Sequence, residues 1–281
     1  MLACGLLLGG CDPSTSGAGG IFASLGELAG AVACPELTGD ESALRATFSP
    51  DAKTNLQVGA FVQATRQLVT AAHKMEASIG ATCKAIGEDL GIDPGEMEGR
   101  DEVGPTQAAC GAVRARIDAV LAAGVRFSVE FTPPVCKVDA KREASCDARC
   151  KVAGGDGEAD ADCRGSCRAG VMLAARCSKP TLTLTAESQA EDVLALAASL
   201  QRRLPALIVA EIKLATQAVA AIEQIAEIGG SLKGKLENAS AHAKACVAAA
   251  SVATATAGLR IGVSVKAGAS VRAGAGVELG G

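Results

Sequence analysis

Six cysteines near the middle of the chain have a symmetric spacing. They are Cys136, Cys146, Cys150, Cys163, Cys167 and Cys177, with 9, 3, 12, 3 and 9 residues between neighbours. Cysteines at this density either form disulfides in an oxidising compartment or bind zinc as thiolates in a reducing one. Pairing from the outside inwards gives Cys136–Cys177, Cys146–Cys167 and Cys150–Cys163, all centred between residues 156 and 157. The symmetry predicts three nested disulfides, with a zinc site as the alternative.

The same spacing indicates the elements that carry these cysteines. Cys146 and Cys150 are four residues apart, as are Cys163 and Cys167, so each pair lies on one face of a helix. Glycines within residues 151–158 allow the chain to reverse direction between the two helices. We therefore expect an inserted helical hairpin over residues 136–177. Because disulfides would hold its tip rigid, the hairpin is also where we expect a protein partner to dock.

The twin CX3C motifs with outer CX9 arms resemble the helical hairpins of small chaperones of the mitochondrial intermembrane space. The resemblance covers 42 of the 281 residues, and the aromatic positions that those proteins use for clients are lacking here. It implies a disulfide-linked hairpin and does not imply chaperone activity.

The N-terminal residues Leu8-Gly9-Gly10-Cys11 resemble the processing site of bacterial lipoproteins. In that family the cysteine receives the lipid and becomes the mature N-terminus, which implies a signal peptide over residues 1–10 and lipidation of Cys11. No Lys or Arg precedes the short apolar stretch, which points to a true start upstream of Met1. Polar and small residues follow, so residues 11–32 are expected to tether the anchor to a folded body of residues 33–281.

Removal of Cys4 with the signal and lipidation of Cys11 leave ten of the twelve cysteines, enough for five disulfides. Cys83 and Cys110 lie on two predicted helices at matched distances from the connection between them, so we pair them. Cys34 and Cys246 then pair by elimination. Such a set of disulfides indicates a location outside the reducing cell interior.

The composition favours a mainly α-helical protein. Apolar residues make up 49% of the chain and aromatic residues only 2%, so the core must be built from Ala, Leu, Val and Ile. The net charge is −4, without the basic excess or the stacking aromatic residues of nucleic-acid-binding proteins. We therefore expect no nucleic-acid partner.

The hydrophobic pattern predicts an elongated antiparallel helical bundle. A first helix of roughly 35 to 40 residues starts after Ser49-Pro50 and ends near Gly91, and a second, antiparallel helix runs from about residue 106 to 123. A third helix opens at Ser188 and ends at Gly229-Gly230, and a fourth covers about 231–257.

Alternating residues predict a small antiparallel β ribbon. Residues 125–131 and 181–185 alternate apolar and polar side chains and flank the hairpin, so they would pair at its root. The tail also alternates, from Ile261 to Leu279, and predicts one or two further strands that join the ribbon.

The residue types that usually carry catalysis lack a recognisable context. His73 and His242 lie within predicted helices without a nucleophile motif. His242 and Cys246 are four residues apart, but a metal site would need two more ligands. Glu96, Glu98, Asp101 and Glu102 could bind calcium weakly, although a solvated acidic loop is the simpler interpretation. We expect no catalytic residue, no metal and no cofactor, and therefore no enzyme.

These observations predict a non-enzymatic cell-envelope lipoprotein with a binding or structural role. It would be lipid-anchored, in the outer membrane, on the periplasmic or the surface face. The alternative is a helical pore-forming or membrane-perturbing protein, suggested by the long helices and the Ala/Gly-rich tail. No segment after the signal has about 20 strongly apolar residues in a row, so membrane attachment is expected only through Cys11.

Overall fold

A computed structural model describes residues 33–38, 43–99, 103–122, 124–137, 139–142, 144–145, 148, 150, 163–165, 167, 171 and 176–277. The fold is a mainly helical bundle with a small antiparallel ribbon and disulfides, as the sequence predicts. The long helices are α1 (Ala52–Asp89), α2 (Pro105–Leu121), α3 (Glu191–Leu232) and α4 (Ala241–Gly274). The strands are β1 (Phe127–Thr132), β2 (Cys136–Lys137), β3 (Arg176–Cys177) and β4 (Thr181–Ala186). Short 3-10 turns cover Pro35–Leu37, Ala43–Arg45, Pro94–Glu96 and Leu236–Asn238.

Helix α1 is the central element and packs against α2, α3 and α4. It begins after Asp51, whose carboxylate accepts a hydrogen bond from the Thr54 N–H at 2.8 Å and so satisfies a donor of the first turn. Its apolar stripe, including Leu68, Met75 and Ile79, is fully buried. Burial of this stripe on three neighbours stabilises a helix of 38 residues.

Contacts along α1 fix the directions of two of its neighbours. Near the end of α1, Asp89 pairs with Arg203 in the first part of α3, while Gln57 at the start of α1 contacts Ser231 at the end of α3. Helix α3 is therefore antiparallel to α1. Helix α4 is parallel to α1, because Thr65 contacts Thr254 and Glu76 pairs with Arg260.

Helix α2 is also parallel to α1, so the prediction that these two helices are antiparallel was wrong. Thr106 at the start of α2 donates to the Glu76 carbonyl at 3.1 Å, and Cys110 is bonded to Cys83 further along both helices. The intervening chain turns back along α1, where Met97 is buried against Gly87. A connection of this length returns the chain to the middle of α1 before α2 begins.

The ribbon lies at the root of the hairpin, as expected. Strands β1 and β4 pair antiparallel from Phe127 opposite Ala186 to Thr132 opposite Thr181. Strands β2 and β3 continue with Cys136 opposite Cys177. Leu182 and Leu184 on one face of β4 are buried, and the alternating threonines are exposed.

The predicted C-terminal strands are replaced by helix, because α4 continues to Gly274. Helix α3 likewise passes through Gly229-Gly230, and residues 233–240 form the connection that the sequence placed within a fourth helix. Ser240 then caps α4 by accepting from the Ala243 N–H at 3.1 Å. The buried positions of the tail include Ile261, Ser264, Gly268 and Val271, which recur every three or four residues. Because several buried positions carry small residues, the apolar side chains of the tail do not show the helical period and instead alternate as in a strand.

The described part of the hairpin packs on the bundle. Residues 140–142, 144–145 and 163–165 are helical. The disulfide between Cys150 and Cys163 is buried against Leu56 near the start of α1. Gly165 lies against the Gln224 side chain of α3. The part of the hairpin around the Cys150–Cys163 disulfide, which is the farthest of the nested pairs from the root, is thus in contact with α1 and α3.

Two helices within the described residues are long and apolar enough to cross a membrane, by length and composition. They are Glu191–Ile212, the first part of α3, and Ala241–Gly274, the whole of α4. The expectation from the sequence counted only runs of strongly apolar side chains and so did not include these two helices. Core helices of soluble proteins pass the same test. In the most apolar 18-residue stretch of α3, 50% is buried within the fold, whereas in the corresponding stretch of α4 only 28% is buried.

Candidate functional site

Among the described residues, a cluster of sulfur, carboxylate and imidazole groups surrounds the disulfide between Cys34 and Cys246. Cys34 precedes a 3-10 turn, and Cys246 lies near the start of α4. Their sulfurs are 2.05 Å apart, and both residues are fully buried. The bond links points separated by 212 residues and ties the chain before α1 to the last helix.

Glu36 brings a carboxylate to this disulfide. Its Oε2 atom lies 3.3 Å from the Cys34 sulfur and 3.4 Å from the Cys246 sulfur. These are contacts and not hydrogen bonds, since a disulfide sulfur carries no hydrogen. The other oxygen, Oε1, lies 3.0 Å from Nε2 of His242. Glu36 therefore bridges the two sulfurs and an imidazole.

The His242 ring is held in place on both sides. One helical turn before Cys246, its Nε2 atom is 3.9 Å from the Cys246 sulfur. The ring stacks on buried Phe48, with ring centroids 5.7 Å apart and an interplanar angle of 10°. Ser240 donates to the Phe48 carbonyl at 2.6 Å, which fixes the segment that carries Phe48 to the start of α4.

The two sulfurs and the Glu36 carboxylate converge, and the His242 nitrogen lies beside them, in contact with Glu36 and Cys246. The sulfurs and a Glu36 oxygen lie within 4.8 Å of one another. While the disulfide is intact its sulfurs are not thiolates, which are the form of cysteine that binds metals. In the oxidised state the cluster is a buried cross-link beside an acid and a base.

Sequence reasoning placed His242 beside a disulfide-bonded Cys246, two ligands short of a metal site; the disulfide is present, and the fold also brings Glu36 and Cys34 to this pair. The missed residue is Glu36, two positions after Cys34. Pairing Cys34 with Cys246 by elimination already brought Glu36 beside His242. That pairing was the signal that could have revealed the cluster.

The structure also locates the other predicted disulfides. Cys83–Cys110 links α1 to α2, Cys136–Cys177 closes the root of the hairpin, and Cys150–Cys163 lies in its inner part. Cys167 is disulfide-bonded, but its expected partner Cys146 lies outside the described residues. Cys11 and the turn around residues 156 and 157 also lie outside them.

The remaining candidate residues are not brought together. His73 is exposed on α1, with Nδ1 3.4 Å from an Arg260 nitrogen. Glu96 and Glu98 are exposed, whereas Asp101 and Glu102 of the same acidic loop lie outside the described residues.

No protein-family model matches this chain, and no curated protein or solved structure matches it.

Proposed function

We propose that this protein is a non-enzymatic lipoprotein of the cell envelope, anchored through a lipid on Cys11. Its disulfide-linked helical body would bind a partner or have a structural role. The observation that carries the proposal is the set of disulfides. Four pairs among the described residues join separate parts of the fold, at sequence separations of 13, 27, 41 and 212 residues. Disulfides of this number persist in oxidising compartments.

The burial of these cysteines supports a structural role for the bonds. Cys34, Cys83, Cys110 and Cys246 are fully buried in the main core, where free thiols would leave the helices without cross-links. By the chain-entropy estimate the bond between Cys34 and Cys246 alone stabilises the fold by about 5 kcal/mol. A protein that depends on such bonds gains its stability only after export from the reducing cytoplasm.

The root of the hairpin is the better candidate for partner binding. The inner disulfide packs on α1, but Val135 beside β2 is 62% exposed. Val135, Lys137, Asp139 and Arg176 line an open depression next to the Cys136–Cys177 disulfide. An exposed apolar side chain beside two cations and one carboxylate, on backbone fixed by a disulfide, suits a protein partner whose surface is apolar with charges of both signs.

The lipid anchor is tested with the full-length protein produced in its native host. Membrane fractionation and intact mass before and after reduction are compared for the wild type and Cys11→Ser. We expect the wild type to be membrane-bound with added lipid mass, a gain of about two daltons per reduced disulfide, and release of Cys11→Ser into the soluble fraction. A Cys4→Ser variant is the matched control and should behave as the wild type. Wild-type protein without lipid mass, or with free thiols throughout, would refute the proposal.

A second candidate function, membrane perturbation, is favoured by one face of α4. Between Lys244 and Lys266 the exposed residues of this helix are uncharged, and Val252, Leu259 and Val263 are 53%, 72% and 41% exposed. A helix with an uncovered apolar face can lie in a bilayer interface.

Dye release from anionic liposomes tests this second candidate. Soluble protein that lacks residues 1–11 would release dye if α4 acts on membranes, and Leu259→Asp would abolish the release while leaving the fold intact. Ala77→Asp, at an exposed position of α1 outside this face, is the control and should retain the activity. No release by the wild type at micromolar concentration would remove this candidate.

A further inference from the structure

We propose that Cys34, Glu36, His242 and Cys246 have two alternative states: a disulfide when oxidised, and a four-ligand zinc site when reduced. Among the described residues this is the group whose side chains offer the two thiols, imidazole and carboxylate that zinc prefers. The inference concerns a site that neither the lipid anchor nor the hairpin involves.

Four of the distances between these groups in the oxidised form are close to those of a tetrahedral site. With metal–sulfur bonds of about 2.3 Å and metal–nitrogen or metal–oxygen bonds of about 2.1 Å, tetrahedral ligands are about 3.6 Å apart for sulfur to nitrogen or oxygen. The observed distances are 3.3 and 3.4 Å from the two sulfurs to Glu36 Oε2, and 3.9 Å from the Cys246 sulfur to His242. Nitrogen and oxygen would be about 3.4 Å apart, and His242 lies 3.0 Å from the other Glu36 oxygen, Oε1.

Two changes are needed to form the site. The two sulfurs are 2.05 Å apart in the disulfide and must separate, because two thiolates on one zinc ion lie about 3.8 Å apart. The His242 ring must also turn towards Cys34, because the ligand atoms that lie within 4.8 Å of one another are those of Cys34, Glu36 and Cys246. Cys34 is followed by a 3-10 turn of three residues, so rotation of its side chain and a small shift of this turn can open the gap. Cys246 and His242 are fixed on the same face of α4, one helical turn apart.

The chemistry of the change balances with a dithiol reductant. Thiol–disulfide exchange transfers two electrons and two protons from the dithiol to the Cys34–Cys246 bond, which yields two protein thiols and one oxidised dithiol. Binding of Zn²⁺ then releases the two thiol protons to solvent, and the thiolates, the Glu36 carboxylate and the neutral His242 ring hold the ion.

The burial of the four groups fits an ion that enters from one side. The two cysteines are fully buried, while the side chains of Glu36 and His242 are 23% and 41% exposed. The oxygen and nitrogen ligands therefore face the surface, where a hydrated ion first arrives. The sulfurs lie behind them, where zinc would replace the disulfide as the link between the N-terminal segment and α4.

The test uses the full chain after reduction by a phosphine, in wild type, His242→Gln and His73→Gln. Co²⁺ reports the site by its visible d–d bands and its thiolate charge-transfer bands, and Zn²⁺ displaces it. Peptide mapping after alkylation identifies the cysteines that zinc protects. We expect zinc to protect Cys34 and Cys246 in the wild type and in His73→Gln. Because loss of an outer-shell partner already costs 10- to 100-fold in metal affinity, loss of a ligand in His242→Gln should cost at least about 100-fold.

A second variant, Glu36→Gln, guards against a folding defect in His242→Gln, and circular dichroism of each reduced variant checks the helix content. Zinc bound only by hairpin cysteines, with Cys34 and Cys246 alkylated equally in its presence and absence, would overturn the proposal. Equal zinc affinity of His242→Gln and His73→Gln would also overturn it, as would a reduced wild type that unfolds and does not refold with zinc. None of these outcomes bears on the lipid at Cys11, so the two proposals fail separately.

Discussion

Arg272 Nε donates a hydrogen bond of 3.1 Å to Glu211 Oε2 in a buried ion pair between α3 and α4. The two side chains are only 16% and 4% exposed. Burial raises the pKa of Glu211 above its ordinary value, and the charge and hydrogen bond of Arg272 partly oppose that rise. The second oxygen, Oε1, has no hydrogen-bond partner and lies against Gly268 of α4. This pair holds the C-terminal half of α4 on α3.

Replacing only one member of the ion pair should destabilise the fold more than replacing both members with apolar residues. We expect Glu211→Gln to lower the free energy of unfolding by about 3 kcal/mol, because the Arg272 charge would be left buried without a counterion. The double variant Glu211→Met with Arg272→Met should recover most of this loss, since two apolar side chains avoid the cost of desolvating charges. Urea unfolding of the single and double variants measures both values. Equal and additive losses would contradict a coupled pair.

Asp89 gives the fold a sensitivity to acid. The hydrogen bond from Arg203 is the main cause that lowers the pKa of Asp89, and hydrogen bonds from Ser199 and Arg202 add to it. Because its pKa is lower in the folded than in the unfolded chain, this contribution to stability is present above about pH 3.8 and is lost as the pH falls through the lowered value. We expect Asp89→Asn to lower Tm at neutral pH and to reduce the loss of Tm between pH 5 and 2. Glu88→Gln, one residue earlier on α1, is the control and should keep the acid dependence of the wild type.

Two glycines of α4 should respond oppositely to alanine. Gly262 is exposed with nothing within 4 Å of an added Cβ, so Gly262→Ala should stabilise the fold by about 0.5–1 kcal/mol through helix propensity. Gly268 faces Glu211, where an added methyl group would overlap the carboxylate, so Gly268→Ala should destabilise by about 1–3 kcal/mol. Thermal unfolding of the two variants measures both effects. A loss of stability in Gly262→Ala would indicate that this stretch is not helical.

The sequence predicted the fold best where one strong pattern acted alone. The stripe of α1 and the alternation of β1 and β4 each had a single period, and both elements formed as expected. In α4 the buried face carries Ser264 and Gly268, so the alternation of Ile261, Val263 and Val265 suggested a strand where the packing requires a helix. The direction of α2 depended on the path of the chain between the helices, which hydrophobic periodicity does not encode.

The candidate site was likewise predictable in part: its disulfide follows from the cysteine count, whereas its other contacts depend on tertiary packing. Cysteine counting brought Cys34 to Cys246, because an even number of thiols left one pair. Glu36 and His242 meet through tertiary packing, with Phe48 setting the orientation of the imidazole. A carboxylate two residues from one cysteine and an imidazole four residues from its partner carry no motif by themselves. They form a site only after the disulfide has been assigned.

The packing of the hairpin on α1 depends on Leu56. This side chain is 5% exposed and contacts the buried disulfide between Cys150 and Cys163. We expect Leu56→Asp to release the inner part of the hairpin from the bundle, because a carboxylate buried against a disulfide would lose its hydration. The hairpin would keep its internal bonds, so the change should be local. Hydrogen exchange and limited proteolysis under non-reducing conditions measure it.

The control for this release is Ala77→Asp, an acidic substitution at an exposed position of the same helix. It should leave hydrogen exchange in the hairpin unchanged, since residue 77 lies about six helical turns beyond Leu56 along α1. Leu56→Asp should raise exchange around Cys150 and Cys163 and allow cleavage there, while α2 and α4 stay protected. If exchange instead rose equally in all helices, the hairpin and the bundle would unfold as one cooperative unit, and Leu56 would be a core residue without a separate role in docking the hairpin.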